Sequence, residues 1–382
     1  MATTSVIEER QVSSGKNRNA FYRPELDTLR FFAFLAVFAF HRLSYTSDYF
    51  VQRHVPLWAA KFIVALLGAG SYGVDLFFVL SSYLITELLL REKESEGSLN
   101  VRAFYFRRIL RIWPLYYLFI TLVAVIPFLN DHKGFPLPQF LLFALLMGNW
   151  SVAAFGWPAG VTGPLWSISV EEQFYLFWPP LVAKLSRKQI AIAATAMILI
   201  ANSSRVAAFF LHATQESLWV NTLAHLDSIA GGILLAVILG GRAPRMGIVN
   251  RICLIVLGIF CLAIRLYFSS SLLSLNQAIF GYSVDAAACT AIMYAFVGLP
   301  LRSTWLEYLG KISYGLYAYH MMCIVITNRL FYGVREYRFV YILLLATSLG
   351  LTVAVAAISY AVLERPFLKL KSKYTYIRSR VA

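Results

Sequence analysis

The stretch LDTLRFFAFLAVFAFH, residues 26–41, decides how this chain must fold. It places His41 inside a hydrophobic segment and Arg30 at the start of that segment. The two residues are eleven positions apart, which is three helical turns plus about 20°, so a helix would carry both side chains on one face about 16 Å apart. Because an ionisable side chain inside a membrane span is costly, a functional role is the default hypothesis for His41.

The composition excludes an ordinary soluble domain. Of the 382 residues, 59% are hydrophobic and only 14% are charged, and the mean hydropathy is +0.66, values typical of a polytopic membrane protein. The net charge of +15 comes from Lys and Arg that gather between and after apolar runs. This pattern favours cytoplasmic basic loops and contact with anionic lipid over nucleic-acid binding. The four cysteines have neither paired nor metal-like spacing, so no disulfide framework or metal site is predicted.

Apolar segments of near-spanning length recur from residue 31 to the end of the chain, separated by short loops. The segment 139–149 has only eleven residues, too few to cross about 30 Å of hydrocarbon as a helix. The span after it ends in Arg187 and Lys188, and a basic end prefers the cytoplasm, so 139–149 must return to the side it left. The predicted spans lie near 31–43, 58–90, 112–129, 165–185, 189–211, 221–240, 252–268, 282–300, 312–330 and 339–362.

The predicted fold class is therefore an all-α integral membrane protein, with about ten transmembrane helices, one short re-entrant segment and both termini in the cytoplasm. Residues 1–22 form a polar tail without the apolar core of a signal peptide, so the first span must direct insertion. Residues 23–368 form the membrane domain, and residues 369–382 form a basic tail.

His41 has two interpretations from its own segment. It could be hydrogen-bonded between helices for packing alone, as many lone histidines in membrane spans are. Arg30 on the same face favours the other interpretation. A helix used only for packing gains little from a cation at its mouth, whereas a channel that guides an anionic ligand to the histidine would use both.

A second candidate site is FYFRRILRIWPLYY, residues 104–117, before the third span. Arg107, Arg108 and Arg111 have helical spacings of three and four, so a helix would present them as one patch. Guanidinium groups match phosphate oxygens bidentately, so the patch could hold a polyphosphate. The alternative is that the arginines only anchor the helix to lipid headgroups. We favour binding, because Trp113 and Pro114 fix the angle at which this segment enters the membrane.

A third candidate site is GPLWSISVEEQFYLFW, residues 163–178, which carries Glu171 and Glu172 about two turns inside a span. Neighbouring positions are about 100° apart on a helix, so we expect one carboxylate to face the protein interior and the other a wetter rim. Glu171 aligns with Ser167 and could orient, or take protons from, a histidine partner. The alternative is a structural ion pair with an arginine such as Arg30.

Other polar residues near the spans are weaker signals. Asp75 could hold helices together or line the cavity, and His225 with Asp227 precedes a span. His320 lies among tyrosines that include Tyr317, and we interpret it as hydrogen-bonded within that aromatic cluster rather than as a ligand. No Walker loop, nucleophile elbow, H-E-x-x-H motif or zinc spacing is present, so soluble catalytic machinery is not predicted.

Six motifs follow one another along the chain: Arg30 with His41, GVDLFFVLS (73–81), Arg108-x-x-Arg111, WSISVEEQFY (166–175), ISYGLYAYH (312–320) and ERPF (364–367). Together they resemble the membrane acyltransferase 3 family, in the family's order and over about residues 20–370. The resemblance implies a multi-pass enzyme of the bacterial inner membrane that takes an acyl group, usually acetyl, from cytoplasmic acyl-CoA. The acceptor would be a hydroxyl of an extracytoplasmic or lipid-linked carbohydrate, as in lipopolysaccharide, exopolysaccharide or peptidoglycan.

The resemblance also implies roles for these residues. His41 would be the catalytic histidine with Arg30 as its paired arginine, Arg108 and Arg111 would contact acyl-CoA, and Glu171 would be the motif glutamate. Acyl-CoA would act as a co-substrate, with no tightly bound cofactor and no metal. Arg107 belongs to the same patch, and the residues expected to line or support the cavity are Asp75, Ser167, Glu172, Asp227 and His320.

The chain departs from the family pattern in two places. Ser82 stands where the family commonly has glycine, at a position with no proposed catalytic role. The chain ends about twenty residues after its last predicted span, so the SGNH hydrolase-like domain fused to some relatives is not expected. A separate periplasmic protein could then handle the acceptor, and membrane lipids are the other expected partners.

The hypothesis is that neutral His41, poised by Glu171, acts as general base for the acceptor hydroxyl or accepts the acyl group itself. The acyl group, not the sugar, would cross the membrane. The rival hypothesis is a transporter or flippase for a lipid-linked saccharide, in which the same charges line a substrate path. A third hypothesis is a membrane sensor whose arginines bind anionic lipid.

Overall fold

The computed structural model describes residues 22–43, 45–269, 274–332 and 338–371. Within these ranges all regular secondary structure is helical, which confirms the predicted all-α class. The tails predicted at 1–22 and 369–382 fall almost wholly outside the described residues. The α-helices are α1 (Pro24–Arg42), α2 (Ser47–Val51), α3 (Leu57–Gly68), α4 (Gly73–Glu96), α5 (Val101–Val125), α6 (Leu137–Ala144), α7 (Gly148–Phe155), α8 (Trp166–Lys184), α9 (Arg187–Phe210), α10 (Gln215–Trp219), α11 (Leu226–Leu239), α12 (Ile248–Tyr267), α13 (Tyr282–Phe296), α14 (Thr304–Lys311), α15 (Ser313–Leu330), α16 (Arg338–Ser359) and α17 (Arg365–Lys371).

In the described part of the chain, seven helical segments are long and apolar enough to cross a membrane. Three further helices, α1, α8 and α15, have 19, 19 and 18 residues but a more polar content, and they carry Arg30, Glu171 and His320. Every predicted span coincides with at least one helix. The seven segments are Leu57–Glu96, Val101–Val125, Arg187–Phe210, Thr222–Leu239, Ile248–Tyr267, Gln277–Phe296 and Ile342–Leu370.

The short segment predicted at 139–149 is two helices, α6 and α7, rather than one. The chain turns between them where Leu146 has φ +58°, a left-handed conformation. A side chain at Gly148 would clash with the ring of Phe143, so glycine allows the two helices to close up. Two hydroxyls of α5 donate to the last carbonyls of α6: Tyr116 to Phe143 O at 2.7 Å and Tyr117 to Ala144 O at 2.9 Å. These bonds attach the carboxyl end of α6 to α5.

Several loops rich in Lys and Arg meet at one end of the helix bundle, which we call the basic end. Arg23, before α1, donates to Gly241 O at 2.6 Å, and Arg187, at the start of α9, lies 3.0 Å from Glu94 at the end of α4. The segments around residues 23–30, 87–111, 184–188, 240–245 and 298–311 therefore share this end.

Glycines bring α4 and the turn before it directly onto the backbone of α1. A side chain at Gly70 or Gly73 would clash with the carbonyl oxygens of Ala36 or Ala33. Ser82, which stands where the family commonly has glycine, also lies in a close helix contact. Its hydroxyl fills space that a side chain at Gly232 of α11 would occupy. Such close approaches are typical of helix packing in membranes.

Candidate active site

One cavity, the Arg108 cavity, opens at the basic end. It has a volume of about 120 Å³ and lies between α1, α4, α5, α8 and α15. Five of the predicted site residues line it, namely Arg30, Arg108, Arg111, Ser167 and Glu171. The Arg108 guanidinium lies over the rings of Phe104 and Tyr175, at 5.3 and 5.5 Å from their centroids. The structure therefore brings together a cationic surface from helices far apart in sequence.

The predicted three-arginine patch contains only two arginines that line this cavity. Arg107 is buried and donates to Glu92 Oε2 at 2.8 Å, so its charge is already used within the fold. The reason is geometric, since Arg107 and Arg108 are neighbours and point about 100° apart on α5. Arg107 therefore does not line the Arg108 cavity, unlike Arg108 and Arg111.

The two glutamates of α8 have separate environments, as their spacing predicted. Glu171 lines the Arg108 cavity and accepts hydrogen bonds from Ser81 Oγ at 2.7 Å and Tyr175 OH at 3.2 Å. Glu172 accepts a hydrogen bond from Trp113 Nε1 at 3.1 Å and lines neither cavity described here. Glu171 was predicted to poise His41, but its hydrogen-bond partners in the structure are Ser81 and Tyr175 and not the histidine.

Arg30 pairs with Asp27 at 2.6 Å, one turn before it on α1. The pair forms part of the wall of the Arg108 cavity. Neither Glu171 nor Glu172 forms an ion pair with Arg30 in the described residues, so the structural ion pair considered for Glu171 is not observed. Asp27 thus holds the Arg30 guanidinium at the mouth of the cavity.

A second and larger cavity, the His41 cavity, has a volume of about 530 Å³. It lies toward the ends of the helices opposite the basic end. Its wall combines aromatic rings with polar groups, and most of these residues, unlike His41 and Tyr317, do not stand out in the sequence. The side chains that define its chemistry are His41, Tyr72, Trp157, Trp219, Glu216, Arg265, Gln277 and Tyr282.

His41 is held by a second histidine, His320 of α15. The His320 Nε2 atom lies 3.2 Å from His41 Nδ1, and His41 Nδ1 also lies 3.0 Å from the carbonyl oxygen of Val37. His320 itself is completely buried, and its Nδ1 lies 2.6 Å from Tyr317 O. This confirms that His320 is hydrogen-bonded among aromatic residues. Its contact with His41 is an addition that the sequence did not predict.

These bonds assign the tautomer of His41. His320 Nδ1 must donate to the carbonyl of Tyr317, so the Nε2 of a neutral His320 can only accept. His41 Nδ1 faces that acceptor and the Val37 carbonyl, so it carries the proton. The lone pair of His41 therefore lies on Nε2, for which the described residues provide no hydrogen-bond donor. Such a nitrogen can take a proton or attack a carbonyl carbon.

The two cavities share a boundary. Among the described residues, Val74 of α4 and Tyr317 of α15 are the two that line both. The Tyr317 hydroxyl lies 2.7 Å from Ser167 Oγ and 3.0 Å from Pro164 O. Ser167, predicted as a supporting residue, lines the Arg108 cavity at this meeting point.

Two predicted cavity residues belong instead to a sealed polar cluster. Asp75 accepts from Ser228 Oγ at 2.7 Å and pairs with His225 Nδ1 at 2.9 Å. Asp227 pairs at 2.8 Å with Arg205, whose side chain is fully buried. Neither aspartate lines the Arg108 cavity or the His41 cavity, and their bonds hold α4, α9 and α11 together, which is one of the two roles considered for Asp75.

Comparison with known proteins gives a consistent family. The family model described as "Acyltransferase domain" matches residues 23–361. The chain is 34% identical over 172 residues to "Peptidoglycan O-acetyltransferase OatA" of Listeria monocytogenes, covering 41% of this chain and 24% of the relative. It is 28% identical over 340 residues to "Putative peptidoglycan O-acetyltransferase YrhL" of Bacillus subtilis, covering 82% and 50% of the two chains.

A third relative, "Putative O-acetyltransferase SAS0844" of Staphylococcus aureus, is 24% identical over 383 residues, covering 93% of this chain and 58% of the relative. This chain thus spans between a quarter and somewhat more than half of the lengths of these relatives. No solved structure matches it.

Proposed function

We propose a donor, an acceptor and a direction of transfer for this chain, which belongs to the acyltransferase family whose model covers residues 23–361 and is an enzyme that transfers acyl groups. The donor is cytoplasmic acyl-CoA, most simply acetyl-CoA, and the enzyme lies in a bacterial inner membrane. The acceptor is a hydroxyl of an extracytoplasmic or lipid-linked carbohydrate. The single observation that carries this proposal is that His41 lines an aromatic-lined cavity that shares Val74 and Tyr317 with the cavity at the basic end.

The basic end faces the cytoplasm in this proposal, because Lys and Arg are retained on that side of a membrane. The three polar helices α1, α8 and α15 cross the bilayer with the seven apolar segments, which gives ten spans. Their polar side chains point to each other and to the cavities rather than to lipid, so the hydropathy of each helix alone understates its ability to span. Both ends of the described chain, at residues 22 and 371, then lie on the cytoplasmic side.

Acyl-CoA binds in the Arg108 cavity, with its phosphates at the basic end. Arg108 and Arg111 offer planar groups that pair bidentately with phosphate oxygens. Arg30, fixed by Asp27, adds a third positive group along the same cavity. The pantetheine arm then extends toward Val74 and Tyr317 and delivers the thioester to His41.

The carbohydrate binds in the His41 cavity. Aromatic rings such as Trp157 offer apolar faces to sugar C–H groups, while Glu216 and Gln277 offer hydrogen-bonding groups. The volume of about 530 Å³ is within the range of small-ligand sites. Relatives named for peptidoglycan O-acetylation make an amino-sugar glycan the first acceptor to test.

In the reaction, His41 Nε2 takes the proton of the acceptor hydroxyl while the hydroxyl oxygen attacks the thioester carbonyl carbon. The carbon–sulfur bond breaks, and the departing thiolate takes the proton from His41, which returns to its starting state. In the covalent alternative the same lone pair attacks the carbonyl carbon first, and the acceptor then displaces the imidazole. Both routes need the tautomer that His320 enforces.

The test is a thioester assay on the purified protein in lipid vesicles. Wild-type protein should release free CoA from acetyl-CoA and form an ester on a chitin oligosaccharide, and His41→Ala should do neither. Labelled acyl-protein that is trapped without acceptor and lost in His41→Gln would select the covalent route. The absence of such an adduct in a single turnover would select direct transfer.

The transporter hypothesis and the sensor hypothesis are not favoured. Neither the family match nor the names of the relatives support a transporter of lipid-linked saccharide. Transport would move the saccharide without consuming acyl-CoA, and a sensor would show no turnover. The same assay therefore separates all three hypotheses.

A further inference from the structure

The Arg108 cavity and the His41 cavity share a boundary formed by Val74 of α4 and Tyr317 of α15, which we call the neck. In the described part of the chain, these two residues line both cavities. Both side chains are nearly covered, with 6% and 7% of their surfaces exposed. A group that moves from one cavity to the other must pass between them.

The Val74 side of the neck cannot move away easily. Gly73, its neighbour, packs directly against the α1 backbone at Ala33, with no room for even a methyl group. Gly70 makes the same close approach at Ala36 one turn earlier. Because interiors packed to this density shift little without cost, Val74 is a fixed wall.

The Tyr317 side is fixed at both ends of the side chain. Its hydroxyl lies within hydrogen-bond distance of Ser167 Oγ and Pro164 O, at 2.7 and 3.0 Å. Its backbone carbonyl accepts a hydrogen bond from His320, and His320 in turn orients His41. The ring packs edge-on against Phe77, with 5.8 Å between the centroids. The ring is therefore held in one orientation rather than free to swing aside.

The proposed function requires a thioester to reach through this neck, since the cationic groups lie in one cavity and His41 in the other. The free end of the acyl group enters first, and any branch on the carbon next to the carbonyl then has to pass Val74 and Tyr317. An acetyl or other unbranched group presents a narrow cross-section, whereas a branch at that carbon widens it. The gem-dimethyl carbon of the pantetheine arm is itself branched and would stop on the basic-end side.

We propose that the Val74–Tyr317 neck selects the transferred acyl group by cross-section, accepting unbranched acyl groups and rejecting those branched next to the carbonyl. This inference rests on the proposed function and adds a specificity determinant to it. Rejection comes from a rigid wall that a bulkier group must displace, and a mismatch of one methyl group in such a wall changes rates by about tenfold or more.

The experiment compares initial rates with acetyl-, propionyl- and isobutyryl-CoA on the purified protein in vesicles, using release of free CoA with chitin oligosaccharide present. Val74→Ala removes two methyl groups from the neck and should raise the isobutyryl-to-acetyl rate ratio by about tenfold or more. The propionyl-to-acetyl ratio should change much less, because an added linear carbon does not widen the group. Product inhibition by free CoA should be unchanged, since its phosphates lie elsewhere.

Val79→Ala is the matched control. Val79 lies on the same helix, is completely buried and lines neither cavity, so its truncation should leave the ratios as in wild type. Tyr317→Phe keeps the ring but removes the hydroxyl that holds it, so it should raise the isobutyryl ratio to a smaller extent. This variant keeps the test open if Val74→Ala fails to fold.

The outcomes separate the neck from the underlying function. An isobutyryl ratio unchanged in both Val74→Ala and Tyr317→Phe, with acetyl transfer still measurable, overturns the neck and leaves the proposed function standing. An equal rise in Val79→Ala also overturns the neck, because general loosening would then be the cause. If wild-type protein cleaves no acyl-CoA in a His41-dependent way, the proposed function fails and the neck with it.

Discussion

His225 and His41 are each hydrogen-bonded to a partner side chain, but they differ in whether one ring nitrogen remains available. His225 uses both nitrogens, with Nδ1 at 2.9 Å from Asp75 and Nε2 at 2.6 Å from Trp219 O. Both partners accept, so both nitrogens donate and the ring is a cation balanced by the carboxylate. His225 has 1% of its surface exposed and lines neither the Arg108 cavity nor the His41 cavity.

His41 instead uses one nitrogen and keeps the other. Its Nδ1 is bound by His320 and Val37, while Nε2 belongs to a ring that lines a cavity. The comparison teaches that burial and a specific partner do not mark a catalytic histidine, because His225 has both. What distinguishes the proposed catalytic histidine is a nitrogen lone pair that a ligand can reach.

The largest expected effect follows from removing that lone pair. His41→Ala should lower the rate of acyl transfer by about 10²–10⁴-fold or more, because general-base catalysis contributes about that much. Binding of acyl-CoA should persist, since its proposed contacts lie in the Arg108 cavity. Rate measurements and acyl-CoA titrations on the same preparation check both parts. Full activity in this variant would end the catalytic assignment.

The next effect tests the tautomer. His320→Met removes one of the two acceptors that hold the proton on His41 Nδ1, the other being the Val37 carbonyl, and should lower the rate by up to about 10²-fold with little change in acyl-CoA binding. His320→Gln can place a carbonyl oxygen near the lost nitrogen and should recover most of the rate. If both variants lose activity and stability equally, His320 is only a packing residue. The readouts are the rate and the melting temperature.

A smaller effect is expected at the arginines. Arg108→Ala combined with Arg111→Ala should raise the KM for acyl-CoA by about tenfold or more, because a charge-assisted hydrogen bond contributes about 1.5–3 kcal/mol. Arg107→Ala is the control on the same helix, and it should destabilise the fold through Glu92 without a specific change in KM. A KM that rises equally in Arg107→Ala would contradict the division of the three arginines between the cavity and the fold.

The smallest effect on the reaction is expected at the sealed histidine. Asp75→Ala breaks a buried ion pair and should cost about 3–5 kcal/mol of stability, seen as a lower melting temperature. The protein that remains folded should keep a near wild-type KM for acyl-CoA. A large loss of rate in fully folded protein would mean that the sealed cluster takes part in the chemistry.

Much of the site could be predicted from the sequence, because its residues stand out against apolar surroundings. Arg30, Arg108, Arg111 and Glu171 are charges in or beside spans, and the structure places all four in one cavity. His41 stands out for the same reason, although it lines the other cavity. The helical class followed from the same apolar runs.

The remaining features depend on contacts between distant segments. His41 and His320 are 279 residues apart, and no spacing rule joins them. Arg107 has the helical spacing expected for the arginine patch, as Arg111 does. Only its pairing with Glu92 in the structure separates it from the two arginines that line the cavity. Trp157, Arg265 and Gln277 were missed because aromatic and polar residues near helix ends are ordinary in membrane proteins.

The central claim is that His41 passes an acyl group from the basic-end cavity to the opposite side of the membrane. The most direct measurement uses sealed vesicles that contain the protein, with acetyl-labelled acetyl-CoA outside and a chitin oligosaccharide trapped inside. Wild-type vesicles should accumulate labelled acetyl ester or acetate in the lumen, and His41→Ala vesicles should not. Equal accumulation in the variant, or release of all wild-type label on the acetyl-CoA side, would contradict the claim.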